Sequence, residues 1–89
     1  MSLLTFGTSL GTATATLIYT SRANAAMIYI TNHSGGAIHV GGSAVTDTTG
    51  YQIGNGDTVS FMVYDQDSVY GYDTNGGAQV DVLVTAPNP

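Results

Sequence analysis

The sequence predicts an all-β protein, a small antiparallel β-sandwich or barrel of about seven short strands with essentially no helix. Three observations carry this reading. Short runs of alternating apolar and polar residues recur about every 8–12 positions along the 89 residues. Clusters of Gly, Asn, Asp and Ser separate them, which is turn chemistry. The charged helix formers are nearly missing, with one Arg, no Lys and no Glu.

The elements follow in order. Residues 1–11 hold Gly7 and Gly11 and alternate little, so they read as an extended arm or a weak edge segment carrying Leu3, Leu4 and Phe6, with 12–89 as a single β-sandwich domain. Residues 12–20 alternate well, with Leu17 and Tyr19 on one side and Ile18 on the other. Residues 21–24 form a polar turn. The run 25–31 is apolar on both faces, as a central or doubly covered strand would be. Asn32-His33-Ser34-Gly35-Gly36 reads as a hairpin turn into Ile38 and Val40.

Beyond Gly41-Gly42-Ser43 lie Ala44-Val45-Thr46, a looser stretch Asp47-Thr48-Thr49-Gly50 and Tyr51-Gln52-Ile53, then the turn Gly54-Asn55-Gly56-Asp57. The clearest strand sets Val59, Phe61 and Val63 against Met62 and Tyr64. A turn at 65–67 leads to a strand at 68–72. A second hairpin turn, 73–77, precedes Val80, Val82 and Val84, and Pro87 and Pro89 end the regular structure. Turns this short suggest that neighbours in sequence pair in a meander or Greek key. The expected core is Leu17, Ile28, Ile30, Ile38, Val40, Ile53, Val59, Phe61, Val63, Val69, Val80, Val82 and Val84.

Composition excludes several functions. A chain of this length folds to about 4,900 Å² of surface, room for one small core and no cofactor domain. A net charge of -5 with Arg22 as the sole cation leaves no counterion-releasing groups for nucleic acid and no attraction to an anionic membrane. No apolar run reaches the ~18 residues of a membrane span. Residues 1–6 lack a basic stretch and a long apolar core, so they do not read as a secretory signal. Without Cys there is no disulfide, thiolate metal site or thiol nucleophile.

Catalytic signals are weak. Ser34 is adjacent to His33, but neighbours in an extended chain face apart, so they do not form a triad. His39 alternates with Ile38 and Val40 and points away from the core. No enzyme activity and no cofactor are expected. Asp65, Asp67 and Asp73 offer oxygen ligands of the kind Ca²⁺ takes, yet the same composition is that of ordinary Asp-capped turns. The Gly pairs carry no Lys and precede no helix, so none is a phosphate loop.

Tyrosine is the more informative residue, with six in the chain and no Trp. Met27 and Tyr29 lie out of phase with Ile28 and Ile30, and Met62 and Tyr64 out of phase with Phe61 and Val63. An outward Met/Tyr face marks a protein contact, presents rings to a glycan, or covers a second face within the domain. Met27, Tyr29, Met62 and Tyr64, with Leu3, Leu4 and Phe6 of the arm and Arg22, are the candidate contact residues. Arg22 would pair with an Asp of a neighbour or remain a solvated turn residue. Tyr64, Tyr70 and Tyr72 are the candidates for a sugar platform.

Between residues 24 and 84 the order Met27-Ile28-Tyr29-Ile30-Thr31-Asn32, Ile38-His39-Val40-Gly41-Gly42-Ser43-Ala44-Val45-Thr46, Gly50-Tyr51-Gln52-Ile53 and Gly56-Asp57-Thr58-Val59-Ser60-Phe61 resembles small β-sandwich modules of tailed-bacteriophage virions, including head-decoration proteins. The resemblance covers about two thirds of the chain and rests on turns and strand phase. It implies loop-shaping roles for Gly41, Gly42, Gly50 and Gly56 and nothing catalytic. It also implies a cement protein on the capsid surface, assembled in the host cytoplasm. Such a protein would form a homo-oligomer, trimer or dimer, and bridge copies of the major capsid protein. The alternative is a glycan- or receptor-binding module of a tail, spike or head fibre.

Overall fold

A computed structural model describes residues 2–22 and 25–86. Ala23 and Asn24 of the expected turn 21–24, and the stops at Pro87 and Pro89, lie outside the described residues. The all-β expectation is met: the regular structure among the described residues is eight strands. These are β1 (Ser2–Ser9), β2 (Thr16–Thr20), β3 (Ala25–Asn32), β4 (Ile38–Gly41), β5 (Tyr51–Ile53), β6 (Thr58–Tyr64), β7 (Ser68–Tyr72) and β8 (Gln79–Ala86). They form two four-stranded antiparallel sheets, ordered β1-β8-β3-β6 and β2-β7-β4-β5. This order is that of an eight-stranded jelly roll, in which two Greek keys wrap one core. The surface area of 4835 Å² is close to the value expected from chain length.

The strand beyond the expected seven is β1, so of the two readings of this segment, arm or edge, the edge strand holds. Residues Ser2 to Ser9 pair along their whole length with β8, from Ser2 opposite Ala86 to Ser9 opposite Gln79. The weak alternation of this stretch reflects an edge strand with only one paired side, not a free tail. Leu10, just beyond it, is 2% exposed and caps the core. Its N–H donates to the Ala78 carbonyl, and its own carbonyl accepts from Gly77 N, both at 2.9 Å.

Of the two connectivities expected, the Greek key holds and the meander does not. Only β4 and β5 are neighbours both in sequence and in a sheet. Every other connection crosses from one sheet to the other, so the Gly-rich clusters at 33–37 and 73–78 build arches rather than hairpins. The need for positive φ is the same in both, which is why composition alone reads as a hairpin. Gly35, Gly56, Gly76 and Gly77 all adopt positive φ.

The core is made by the inward residues of the two sheets. Ile28, Ile30, Ile38 and Val80 are fully buried, each stabilising the fold by about 1.5–3 kcal/mol relative to exposure. The expected core list holds with three exceptions. Val59 and Phe61 are half-buried, because β6 is an edge strand and the facing β5 is three residues long. Leu17 is 48% exposed, and Ile18 is buried in its place. The register of β2 against β7 shifts between Leu17 and Tyr19, so Ile18 and Tyr19 both turn inward. One bulge residue breaks the period-two phase that the alternation assumed. The strand is also shorter than expected, since Ala13, at φ 45°, belongs to a turn.

Two buried polar residues pin the arches. Ser21 is fully buried, donating its N–H to Asp67 O and accepting from Gln66 N, both at 2.8 Å. Asn32, also fully buried, ends β3 and donates its side-chain amide to Gly36 O at 2.6 Å and Ile53 O at 3.0 Å. Its Oδ1 accepts from Ser34 N at 2.9 Å.

Candidate interaction surface

The outward Met/Tyr face of the sequence is a real surface. On the β1-β8-β3-β6 sheet, Leu3, Thr85, Met27 and Met62 stand in one register row. Thr5, Leu83, Tyr29 and Ser60 stand in the next. These positions alternate with buried Val82, Val84, Ile28, Ile30 and Val63, so they share the outer face. Leu3, Tyr29, Met62 and Tyr64 are exposed, and Met27 is half-buried. Leu83 completes the face at half-burial. In sequence it is only out of phase with Val82 and Val84; strand adjacency sets it beside Tyr29.

This face is nearly free of charge. Asp81, in the row beyond Thr5 and Leu83, is paired with His33 at 3.4 Å. A shallow groove runs between Thr5, Tyr29, Thr31, Asp81 and Leu83. The strand β3 is central, lying between β8 and β6, as its continuous apolar character implies. Its outer side is nevertheless left open by the described residues, with Tyr29 exposed and Met27 half-buried.

The other candidate residues do not join this face. Phe6 points inward and packs its ring against Tyr19, with centroids 6.2 Å apart. Leu4 shares the inward phase of Phe6 but, at the sheet edge, stays 47% exposed. Arg22 is exposed and lines a small depression with Thr20, Asp65 and Gln66, on the connection beyond β2. Tyr64 lies on one sheet, and Tyr70 and Tyr72 lie on the other. The three rings therefore do not make one sugar platform.

Two of the candidate acidic ligands, Asp67 and Asp73, serve the backbone. Asp73 is buried and its two carboxylate oxygens accept from Asn75 N at 3.2 Å and Ala78 N at 3.0 Å. Asp67 accepts from Tyr64 N at 2.8 Å. Among the described residues no three His, Asp or other ligating side chains gather into a metal site. His33 and His39 are apart, the first beside Asp81 and the second between Tyr72 and Gln52 on the opposite sheet. Among the described residues no helix is long and apolar enough to cross a membrane.

The glycines with inferred loop roles divide by mechanism. Gly56 takes positive φ, while Gly50 is needed for space: a Cβ there would meet Val45 Cγ2 at 2.5 Å and His39 Cβ at 2.8 Å. Gly42 has open space around it. Val45, just ahead of the loose stretch 47–50, is 5% exposed within the β4–β5 connection. Tyr51 is 67% exposed on the short β5, beside the partly covered Phe61. It was legible as an apolar strand residue but not as an exposed one, because its exposure follows from the shortness of β5.

No family model and no curated protein matches the chain. Among solved structures it is similar to a chain from Bacillus endospore appendages, described as "a novel family of disulfide-linked pili". The likeness covers 96% of this chain and 85% of that one, with a TM-score of 0.57 and 19% identity. At that identity the likeness is one of fold. The neighbour is a pilus protein rather than a phage head module, and it shares the small β-sandwich architecture expected from the sequence.

Proposed function

We propose that this chain is a non-enzymatic structural subunit, one that completes its apolar burial in an assembly outside the cell or on a particle surface. The observation that carries the reading is the uncharged outer face formed by Leu3, Met27, Tyr29, Met62, Tyr64 and Leu83. The protein measures 37 by 23 Å across its broad side. A monomer rarely leaves such a face open.

The setting we favour is capsid decoration: a homo-oligomer, dimer or trimer, seated on the major capsid protein of a tailed-phage head. Several small contacts tethered in one oligomer bind with avidity. The order of motifs from 24 to 84 supports it. A second setting, an appendage subunit, is favoured by the fold likeness to the Bacillus pilus protein. Its linkage would differ, since these 89 residues contain no Cys to form disulfides. Neither setting calls on nucleic acid, a membrane or a cofactor.

Light scattering and negative-stain microscopy of the purified protein, alone and mixed with capsids from its source, test the reading. Closed oligomers that coat capsids support decoration. Filaments formed by the protein alone support the appendage. A strict monomer that binds no capsid would overturn both.

A further inference from the structure

The chain contains two Asn-Gly pairs, Asn55-Gly56 and Asn75-Gly76, both in exposed turns where the chain passes between the sheets. Chemically they are equivalent, because Gly leaves the following backbone nitrogen unshielded. The structure treats them differently. Asn55 Oδ1 accepts from Gly35 N at 2.9 Å, and the nitrogen that would react with it, Gly56 N, donates to the carbonyl of fully buried Asn32 at 2.8 Å. Both partners of that pair are held. Gly76 N makes only a 3.2 Å bond to Asp73 O, and the Asn75 side chain has no hydrogen bond within the described residues. Nor can the fold avoid Gly at 76: it sits at φ 79°, and a Cβ there would run into Thr12 Oγ1.

We propose that Asn75 is a site of spontaneous deamidation, selected over Asn55 by the fold. Gly76 N loses its proton and attacks Asn75 Cγ. The new N–Cγ bond closes a five-membered succinimide as the Cγ–Nδ2 bond breaks, and ammonia leaves with the proton. Water then opens either carbonyl of the ring, leaving aspartate or isoaspartate at position 75. Each event adds one negative charge to a chain already at -5. The isoaspartate product also lengthens the main chain by one carbon, inside the turn that Asp73 caps and that bridges to Thr12.

The test is incubation of the native protein at mildly alkaline pH, followed by chymotryptic mapping. Cleavage after Tyr72 and Leu83 isolates Asn75, and cleavage after Tyr51 and Phe61 isolates Asn55. The peptide carrying Asn75 should gain the mass difference between OH and NH₂ at least about tenfold faster than the peptide carrying Asn55, since two native hydrogen bonds must open before the latter reacts. In denaturant the two rates should converge. The variant Asn75→Gln should lose the acidic species seen on isoelectric focusing of native protein. Equal native rates, no native reaction at Asn75, or an acidic species that persists in Asn75→Gln would each overturn the proposal.

Discussion

The side-chain amide of Asn32, at the end of β3 in one sheet, donates to the carbonyl of Ile53, at the end of β5 in the other, across 3.0 Å and without access to solvent. The bond ties the two sheets at one end of the sandwich. The backbone of Asn32 extends the tie, donating to Asp57 O at 3.0 Å and accepting from Gly56 N at 2.8 Å. One residue therefore organises both the β3–β4 arch and the β5–β6 arch.

Asn32→Ala should destabilise the protein by about 2–4 kcal/mol, because it leaves buried backbone groups without partners. The measurement is the urea midpoint at unchanged slope. A loss below about 1 kcal/mol would mean that water replaces the amide at no great cost.

Gly50→Ala and Gly42→Ala form a matched pair. The first drives a methyl into Val45 and His39 and should cost about 1–3 kcal/mol as overpacking. The second meets open space and should change stability by no more than about 0.5 kcal/mol. Thermal melting of the two variants side by side checks the contrast, and equal losses would contradict it.

Removing residues 1–9 should abolish cooperative unfolding. The deletion strips eight register pairs from β8 and uncovers the core beneath Phe6. A free arm would instead leave a folded domain that had lost only its contacts. Circular dichroism during a thermal ramp separates the two, and a sharp transition in the truncated protein would restore the arm.

Met62→Lys should separate assembly from folding. Met62 is 43% exposed and stands opposite Met27 in the register. A charge there should alter stability by no more than about 0.5 kcal/mol. It should weaken self-association or partner binding by more than about 1 kcal/mol if the face is buried in the assembly. Light scattering at matched concentrations reads the first and capsid co-sedimentation the second. Unchanged mass and unchanged co-sedimentation would remove this face from the interface.

Much of this protein was legible in one dimension. The period-two alternation of Val59, Phe61 and Val63, and of Val80, Val82 and Val84, determined strand phase and therefore which side chains enter the core. The same phase set Met27, Tyr29, Met62 and Tyr64 outward, so the candidate surface was visible before the fold was. Alternation is a local property, and local properties survive in sequence.

What the tertiary structure alone decided is non-local. Residues 2–9 become a strand only because β8, more than seventy positions later, offers a free edge. Leu17 and Ile18 exchange sides because a bulge against β7 consumes one residue, and nothing in residues 12–20 marks where it falls. Glycine-rich turns need positive φ whether the chain returns to its own sheet or crosses to the other, so composition cannot choose between hairpin and arch. That choice lies in which distant strands pair, β8 between β1 and β3 and β7 between β2 and β4, and no local stretch of sequence encodes it.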